Sequence, residues 1–353
     1  MKRITYTGKL AIGSSGLGSI AMRHVEALYK HKMMGKVYAS SLISEDVIMK
    51  LFFNQIPQIQ HPNYFVGDVI FDNITSLIME KPTILHTWLN HAYAQLLKYP
   101  DATSIINLFS AHPDVQAEMM GGIEEGIDEF TLKRGRAELE MADHILVPSQ
   151  FVKDSLEDFN LSHKAIVIPF GVDLETFTPA DKRDDIFRVI FVGSNWHRKG
   201  GHLLLKAWEK LNLHKAELIL YGVDENIFNN SLPKNVKVGW ADIPQLVKTL
   251  QQSSVFCLPA LEDGCPLATH EAMACGVPVI ISENTGTKQY VTEGEDGFII
   301  KANDVDAICE KIQYCYDRKA NDLQKMGDKA RKSIEEWPWE RYETMYINFM
   351  TKL

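Results

Sequence analysis

The sequence predicts an α/β protein that consists of two doubly wound domains, each built on a parallel sheet. Three observations indicate this fold class. Short apolar runs with little polar alternation recur along the 353 residues, as is typical of strands covered on both faces. Segments with helical periodicity separate these runs. The pattern also starts twice, since each half opens with a strand, a glycine-containing turn and a helix.

The elements of the two halves follow the same plan. The first half opens with "RITYTGKLAIGSSGLGSIAMRHVEALYK", and we predict its later strands at "TILHTWL", "TSIINLF" and "HILVPS". The second half opens with "FRVIFVGSNWHRKGGHLLLKAWEKL", and we predict its later strands at "AELILYG", "SVFCLPA" and "PVIIS". The stretch between the halves contains two prolines and ends in a charge cluster, which is typical of a linker. We therefore place domains at 1–168 and 186–336 and the linker at 169–185.

The composition argues against several function classes. The formal net charge of −9 disfavours general nucleic-acid binding, so we expect no nucleic-acid partner. No window has the roughly 18 unbroken apolar residues of a membrane span, and the start does not resemble a signal peptide. The five cysteines are odd in number and lack the spacing of metal ligands. They fit reduced thiols, and we expect a cytoplasmic protein without a bound metal.

A basic segment lies near residues 23–36, in "RHVEALYKHKMMGK". The first 60 residues hold eight lysines and arginines against three acidic residues. Such a segment could touch an acidic acceptor or hold the protein peripherally at the inner face of a membrane. The alternative is a solvated helix face, which is the commoner reason for a run of charges.

The loops that follow strands are the candidate sites. In doubly wound sheets, ligands bind at the carboxyl ends of the strands, and two such domains enclose a cleft. The loops in question lie near residues 13–18, 110–113, 193–200 and 261–267. In the third loop, Arg198 and Lys199 precede a predicted helix. Two cations, free backbone N–H groups and the positive end of a helix dipole suit a diphosphate, although an exposed basic loop is the alternative.

The fourth loop opens "LEDGCPLATHEAMACGVPVII", in which Asp263 and Glu271 lie eight residues apart. Helical side chains lean toward the N-terminus of their helix, so both carboxylates could border one opening. Two acceptor-only carboxylates suit the hydroxyls of a sugar or a ribose. The alternatives are that Asp263 supports the helix start and that Glu271 is a surface residue favoured by the dipole.

We predict that the helix in this stretch begins at Pro266, because a proline costs little at a first helical position. Cys265 would then be its approximate cap. This arrangement leaves N–H groups free to bind a ligand, namely those of Gly264, Cys265 and Leu267.

"DGCPLATHEAMACGVPVI" resembles the carboxylate-x7-carboxylate motif of the family 4 glycosyltransferases, which are retaining enzymes of the GT-B fold. Other stretches match the family's landmarks in the family's order: "HILVPSQFVKDSL", "AIVIPFGVDLETFTP", "VIFVGSNWHRKGGHLLLKAW" and "EDGFII". The resemblance implies two Rossmann-like domains that face a central cleft. It implies transfer of a hexose from a nucleotide diphosphate sugar to an acceptor hydroxyl with retention, in polysaccharide or glycolipid biosynthesis. In the family, UDP-sugars are the commonest donors.

The resemblance also implies a role for each domain and for single residues. The domain 1–168 would bind the acceptor, the domain 186–336 would bind the donor, and the helix 337–353 would cross back to the first domain. The acceptor would be a sugar, a polysaccharide repeat or a lipid-linked sugar. The resemblance implies that the diphosphate contacts Arg198, Lys199, Gly16 and Gly18, that the ribose contacts Glu271, and that the base lies near Gly239 and Trp240. It implies that the transferred sugar contacts His112, Asp263 and the backbone of Gly264, Cys265, Pro266 and Leu267.

Two positions depart from the family pattern. The first acidic position is usually Glu, and here it is Asp263, which is one methylene shorter. Glu262 is adjacent, but its spacing to Glu271 is one residue too long. The family often has Arg directly after the glycine that ends the strand, where this chain has Ser194, which leaves Arg198 as the second cation.

The resemblance implies no metal, no cofactor besides the donor substrate, and no protein nucleophile. Three alternatives remain open. A nicotinamide dehydrogenase would need G-x-G-x-x-G, whereas "GSSGLG" has another spacing. An epimerase or phosphorylase of the same fold, or a non-catalytic sugar-nucleotide binder, would fit the fold. For His112 the alternative is a packed, hydrogen-bonded side chain.

Overall fold

The chain divides into two units, and each has its own sheet. The computed structural model describes residues 4–8, 17–39, 64–122, 129–182, 184–228 and 232–353. The first unit comprises residues 1–148, 152–168 and 343–353, and the second comprises residues 149–151 and 169–342. Gly16 and residues 13–15 of the predicted glycine loop lie outside the described residues.

The first unit contains a parallel sheet of six strands in the order β2-β1-β3-β4-β5-β6. Its strands are β1 Ile4–Gly8, β2 Met34–Ala39, β3 Ile84–Trp88, β4 Thr103–Asn107, β5 His144–Val147 and β6 Ala165–Val167. Its helices are α1 Leu17–Lys30, α2 Tyr64–Ile78, α3 Tyr93–Lys98, α4 Pro113–Met119 and α5 Glu129–Met141. The helix α6, Gln150–Asp154, starts in the second unit and ends in the first.

The second unit contains a parallel sheet of six strands in the order β12-β11-β10-β7-β8-β9. Its strands are β7 Phe187–Val192, β8 Ala216–Tyr221, β9 Val236–Gly239, β10 Val255–Leu258, β11 Val279–Ser282 and β12 Gly297–Ile300. Its helices are α7 Gly201–Leu211, α8 Ile243–Gln251, α9 Leu267–Ala274, α10 Val305–Tyr316 and α11 Ala320–Glu335. The strand order reverses between β7 and β10, and such a switch point is where doubly wound sheets bind ligands.

The apolar runs of the sequence form buried strands, as their lack of polar alternation predicts. Every residue of β10 and β11 is buried, as expected of parallel strands covered on both faces. The helix α7 packs an apolar stripe against the sheet, and its buried residues include Leu203, Leu204, Ala207 and Trp208. The predicted doubly wound α/β class is therefore confirmed in both units.

The last helix, α12 Trp339–Met350, starts in the second unit, and its residues from Glu343 onward belong to the first. Its Tyr346 is fully buried and shares a 2.8 Å hydrogen bond with Nδ1 of His86. The Tyr346 ring stacks on His24 with the ring centres 4.5 Å apart. No helix within the described ranges is long and apolar enough to cross a membrane.

Candidate functional site

Two loops of the second unit lie side by side at the switch point. Because β7 and β10 are paired, the loop 193–200 and the loop 259–266 leave the same edge of the sheet. The N–H of Leu261 donates to the carbonyl of Arg198 at 2.8 Å. Gly200 has a left-handed φ of 72°, and a Cβ there would lie 1.9 Å from the carbonyl oxygen of Pro259. Only glycine permits this close approach of the two backbones.

The loops bring two cations against two carboxylates. Lys199 Nζ lies 2.6 Å from Oδ2 of Asp263. Arg198 Nη1 lies 3.5 Å from the same oxygen and 3.3 Å from Oε2 of Glu262, and it also donates to the Glu262 carbonyl at 3.0 Å. Glu262 is fully buried and Asp263 nearly so. The predicted cations and the predicted acid therefore meet, and they are joined by Glu262, which the motif spacing had set aside.

The ion pairs decide the protonation of this cluster. Burial alone would raise the pKa of Asp263, but Lys199 and Arg198 outweigh it and hold that pKa below its ordinary value. Burial would likewise lower the pKa of Arg198, but Asp263 and Glu262 outweigh it and raise that pKa. Asp263 and Arg198 are thus held in their charged forms by their partners.

Glu271 is the fifth residue of α9 and has a different environment. Its side chain is half-buried, and it makes no hydrogen bond or ion pair within the described part of the chain. Burial raises its pKa to about 7, although the positive charge of Lys199 opposes the shift. A carboxylate in such a place has a strong tendency to bind a donor group from a ligand.

The structure corrects the predicted start of the helix. The helix α9 begins at Leu267, and Pro266 occupies the capping position with an extended ψ of 110°. Cys265 is not the cap, because its N–H is turned back to Oδ1 of Asp263 at 3.3 Å. That N–H is therefore not free for a ligand. The N–H groups of Gly264 and Leu267 donate to no other described residue, in agreement with the prediction.

Hydrogen bonds with the segment 284–286 and with Ser149 hold the loop 259–266 in place. The Asp263 N–H donates to the Asn284 carbonyl at 3.0 Å, and the Gly286 N–H donates to the Asp263 carbonyl at 2.9 Å. The Ser149 hydroxyl donates to the Gly264 carbonyl at 2.7 Å. Sequence reasoning missed these residues. Ser149 lies in the predicted stretch "HILVPSQFVKDSL", but no local pattern shows that it joins the second unit.

Gly239 is the last residue of β9, the edge strand of the second sheet, and Trp240 follows it. Trp240 is 68% exposed, and the position of a Cβ on Gly239 faces open space. They lie at the same carboxyl end of the sheet as the loops 193–200 and 259–266, with β8 between β9 and β7. Their proposed contact with a base stays a prediction.

His112 is a packed residue at the start of α4 in the first unit. Its Nδ1 accepts a hydrogen bond from the Asp114 N–H at 3.3 Å, and its backbone N–H donates to the Ser155 hydroxyl at 2.8 Å. The ring stacks on Phe159 with the ring centres 3.5 Å apart. Burial lowers the His112 pKa to about 4, with Asp114 opposing, so the imidazole is neutral at pH 7. Its role toward a sugar stays a prediction.

Two other predicted features lie in the first unit. Gly18 belongs to the first turn of α1. The basic segment 23–36 is partly neutralised, since Lys30 lies 2.8 Å from Glu343 and Lys36 pairs with Glu80. These pairs fit a solvated surface, and contact with a membrane stays a prediction.

Residues 172–333, which include both loops, match the family model described as Glycosyl transferases group 1. The UDP-Gal:alpha-D-GlcNAc-diphosphoundecaprenol alpha-1,3-galactosyltransferase of Escherichia coli is 32% identical over an alignment of 197 positions, which covers 48% of this chain and 49% of that protein. The chain spans about half the length of the curated relatives it matches.

Solved structures extend the similarity over the whole chain. Sucrose-phosphate synthase from Thermosynechococcus elongatus superposes with a TM-score of 0.80 at 18% identity and covers 99% of both chains. Anabaena HepE in complex with UDP-glucose superposes with a TM-score of 0.69 at 12% identity and covers 99% of this chain and 100% of that one. At these identities the likeness shows the fold, and it confirms the GT-B class.

Proposed function

We propose, on the premise that residues 172–333 belong to the glycosyl transferases group 1 family, that this chain transfers a hexose from a nucleotide diphosphate sugar to an acceptor hydroxyl. The transfer would retain the anomeric configuration and serve polysaccharide or glycolipid biosynthesis. The donor would be a UDP-sugar. The named donor of the Escherichia coli relative and the UDP-glucose bound by Anabaena HepE support this choice.

The observation that carries the proposal is the arrangement of four side chains at the switch point of the second sheet. Arg198 and Lys199 would bind the diphosphate, because charge-assisted hydrogen bonds to phosphate oxygens are strong in a partly buried site. Glu271, which has no partner within the described ranges, would accept hydrogen bonds from the ribose hydroxyls. Asp263 and the N–H groups of Gly264 and Leu267 would contact the transferred sugar.

The proposed chemistry depends on positive charge rather than on a nucleophile of the protein. Negative charge grows on the diphosphate as the sugar leaves, and Arg198 and Lys199 would stabilise it. The acceptor hydroxyl would add on the face from which the diphosphate departs, and the departing phosphate oxygen would take its proton. These cations would fill the role that a metal ion fills in other enzymes, so we propose a transfer that needs no metal. The neutral His112 would share a hydrogen bond with the sugar.

The acceptor would be a sugar, a polysaccharide repeat or a lipid-linked sugar. The named acceptor of the Escherichia coli relative, a diphosphoundecaprenol-linked sugar, supports the lipid-linked class. A membrane contact through the residues near 23–36 is proposed with it, although acidic partners compensate part of that charge. The glycine loop with Gly16 and Gly18 would approach the diphosphate.

Replacing Lys199 by Ala tests the proposal. We expect the transfer rate to fall by about 10² or more, as is typical for one group that stabilises developing charge. A thermal-shift screen of nucleotide sugars first identifies the donor, which raises the melting temperature by mass action. Lys210→Ala is the matched control, because Lys210 is an exposed lysine of α7 that pairs with Asp306.

Near-normal turnover of Lys199→Ala would remove Lys199 from this role. Product analysis with and without an acceptor separates the alternatives. An epimerase would convert the donor alone, a phosphorylase would require inorganic phosphate, and a silent binder would bind the donor and release it unchanged.

A further inference from the structure

The two cations of the loop 193–200 are balanced by two carboxylates of the loop 259–266. Arg198 and Lys199 are matched by Glu262 and Asp263, all within 3.5 Å contacts, and Glu271 stands beside them. A diphosphate brings two or more negative charges. It can bind strongly here only if a carboxylate gives up its cation, because cations that stay fully paired offer little attraction.

Asp263 is the carboxylate that stands where a phosphate oxygen would have to be. Lys199 Nζ donates to its Oδ2 at 2.6 Å, and Arg198 Nη1 lies 3.5 Å from the same oxygen. One oxygen of Asp263 thus receives both cations, as a phosphate oxygen would. Glu262 contacts Arg198 through its own side chain and its carbonyl.

The backbone of Asp263 is fixed, so a change of partner can be limited to its side chain. Its N–H is held by Asn284 and its carbonyl by Gly286. Its Oδ1 accepts from the Cys265 N–H at 3.3 Å. A side-chain rotation that moves Oδ2 away from Lys199 also moves Oδ1 away from the Cys265 N–H, because both oxygens belong to one rigid carboxylate, but it need not move the backbone of the loop.

We propose that Asp263 is a placeholder anion, which holds Lys199 and Arg198 until a diphosphate displaces it and then accepts hydrogen bonds from the hydroxyls of the transferred sugar. This inference rests on the proposed function of the two cations. It makes Asp263 a specificity-determining residue. A complete nucleotide sugar gives Asp263 new partners in exchange for its cations, whereas a free diphosphate gives it none. The site therefore favours the donor over the nucleoside diphosphate that remains after transfer.

The test is the affinity for inorganic pyrophosphate, measured by calorimetry on the full chain. Asp263→Asn keeps the acceptor for the Cys265 N–H and removes the competing charge. We expect pyrophosphate to bind to Asp263→Asn at least about fivefold more tightly than to the unmodified chain. A change of this size corresponds to the usual free energy of one ion pair with partly exposed partners. Glu217→Gln is the matched control, since Glu217 pairs with Arg188 and Lys237 in the same unit and lies on β8. We expect it to leave the affinity unchanged.

The direction of the change separates the two proposals. A binding or purely structural role for Asp263 predicts weaker or equal binding by Asp263→Asn, and either result overturns the placeholder. Equal gains in Asp263→Asn and Glu217→Gln would also overturn it, because they would reflect net charge alone. Lys199→Ala tests the proposed function separately. If its pyrophosphate affinity equals that of the unmodified chain, the cation role itself fails.

A structure of the unmodified chain with pyrophosphate keeps the inference testable if Asp263→Asn does not fold. We expect Lys199 Nζ to contact a phosphate oxygen and to lie beyond hydrogen-bond distance of Asp263. Pyrophosphate bound with the Lys199–Asp263 pair intact would overturn the placeholder.

Discussion

Glu271 shows how one half-buried carboxylate can link ligand binding to pH. Its pKa of about 7 lies above the ordinary value, so the folded chain keeps a proton that the unfolded chain has already lost. Its contribution to stability is therefore complete below about pH 4.5 and is lost as the pH rises toward 7. At pH 8 the half-buried side chain is charged and has no hydrogen-bond or ion-pair partner within the described part of the chain.

We predict that Glu271→Gln stabilises the chain at pH 8 by about 1–2 kcal/mol and changes little at pH 5, where the native carboxyl is already neutral. Urea unfolding of both chains at the two pH values measures the difference. The same variant is expected to bind the nucleotide more weakly, since a ribose hydroxyl loses a charged acceptor. Glu310→Gln is the control, because Glu310 is an exposed residue on α10. An equal effect at pH 5 and pH 8 would contradict the prediction.

At this scale the sequence predicted which residues stand at the switch point but not which of them pair. Arg198, Lys199 and Asp263 follow strands, and that placement could be predicted from the order of apolar runs. The contact of Arg198 with Glu262 could not, because the partner of a side chain depends on how closely two loops approach. Here Gly200 sets that approach by fitting against Pro259.

At the scale of elements, the loop 261–266 takes its shape from a neighbour that is distant in sequence. Gly286 begins a short 3₁₀ helix, Gly286–Tyr290, and packs directly against the loop. A Cβ on Gly286 would lie 1.8 Å from the Gly264 carbonyl oxygen and 2.3 Å from the Ser149 hydroxyl oxygen. Both distances are far below van der Waals contact, and the first involves backbone, which cannot move aside cheaply.

We predict that Gly286→Ala lowers the free energy of unfolding by about 2 kcal/mol or more and weakens nucleotide binding, because the loop must shift. Urea unfolding and calorimetry measure the two effects. Gly294→Ala is the control, since a Cβ there meets open space and only its left-handed φ of 75° opposes the change. We expect that variant to cost about 1 kcal/mol and to leave binding intact. Unchanged binding by Gly286→Ala would show that the loop does not depend on this contact.

The elements themselves could largely be predicted, and their ends less so. Strand and helix periods are local properties, so the apolar runs were confirmed as strands and α7 as an amphipathic helix. The predicted start of α9 was wrong by one residue, because the Cys265 N–H donates to Asp263 and Pro266 has an extended conformation. The order of strands in each sheet depends on pairing between distant segments, and no local pattern records it.

At the scale of the molecule, the second start of the strand pattern predicted two units of similar plan. The resemblance implies that the helix 337–353 crosses back to the first domain, but no pattern predicts the other exchange of chain between the units. Residues 149–151 belong to the second unit although both flanking segments belong to the first, and residues 343–353 return to the first unit at the end. Each of these segments makes a hydrogen bond within its unit: the Ser149 hydroxyl donates to the Gly264 carbonyl, and the Tyr346 hydroxyl bonds to His86.

The histidines that contact the last helix, α12, indicate how the stability of the first unit changes when the pH is lowered. His86 is fully buried, shares hydrogen bonds with Tyr346 and Asn107, and has a pKa lowered to about 4 by burial. Burial, with His86 adding to it, also lowers the pKa of His24. The unfolded chain protonates these rings near pH 6.5, so their contribution to stability is present above that pH and is lost as the pH falls toward 4.

We predict that lowering the pH from 7 to 5 costs the first unit about 1–2 kcal/mol for each of these two histidines. His86→Gln keeps groups that can bond to Tyr346 and Asn107, and it should remove about half of this loss while lowering stability at pH 7. Urea unfolding at both pH values measures the change, with His214→Gln as the control because His214 is exposed. If His86→Gln loses as much stability on acidification as the unmodified chain, the pH response arises elsewhere. His86 and His24 would then contribute to packing only, and their protonation would not change the stability between pH 5 and pH 7.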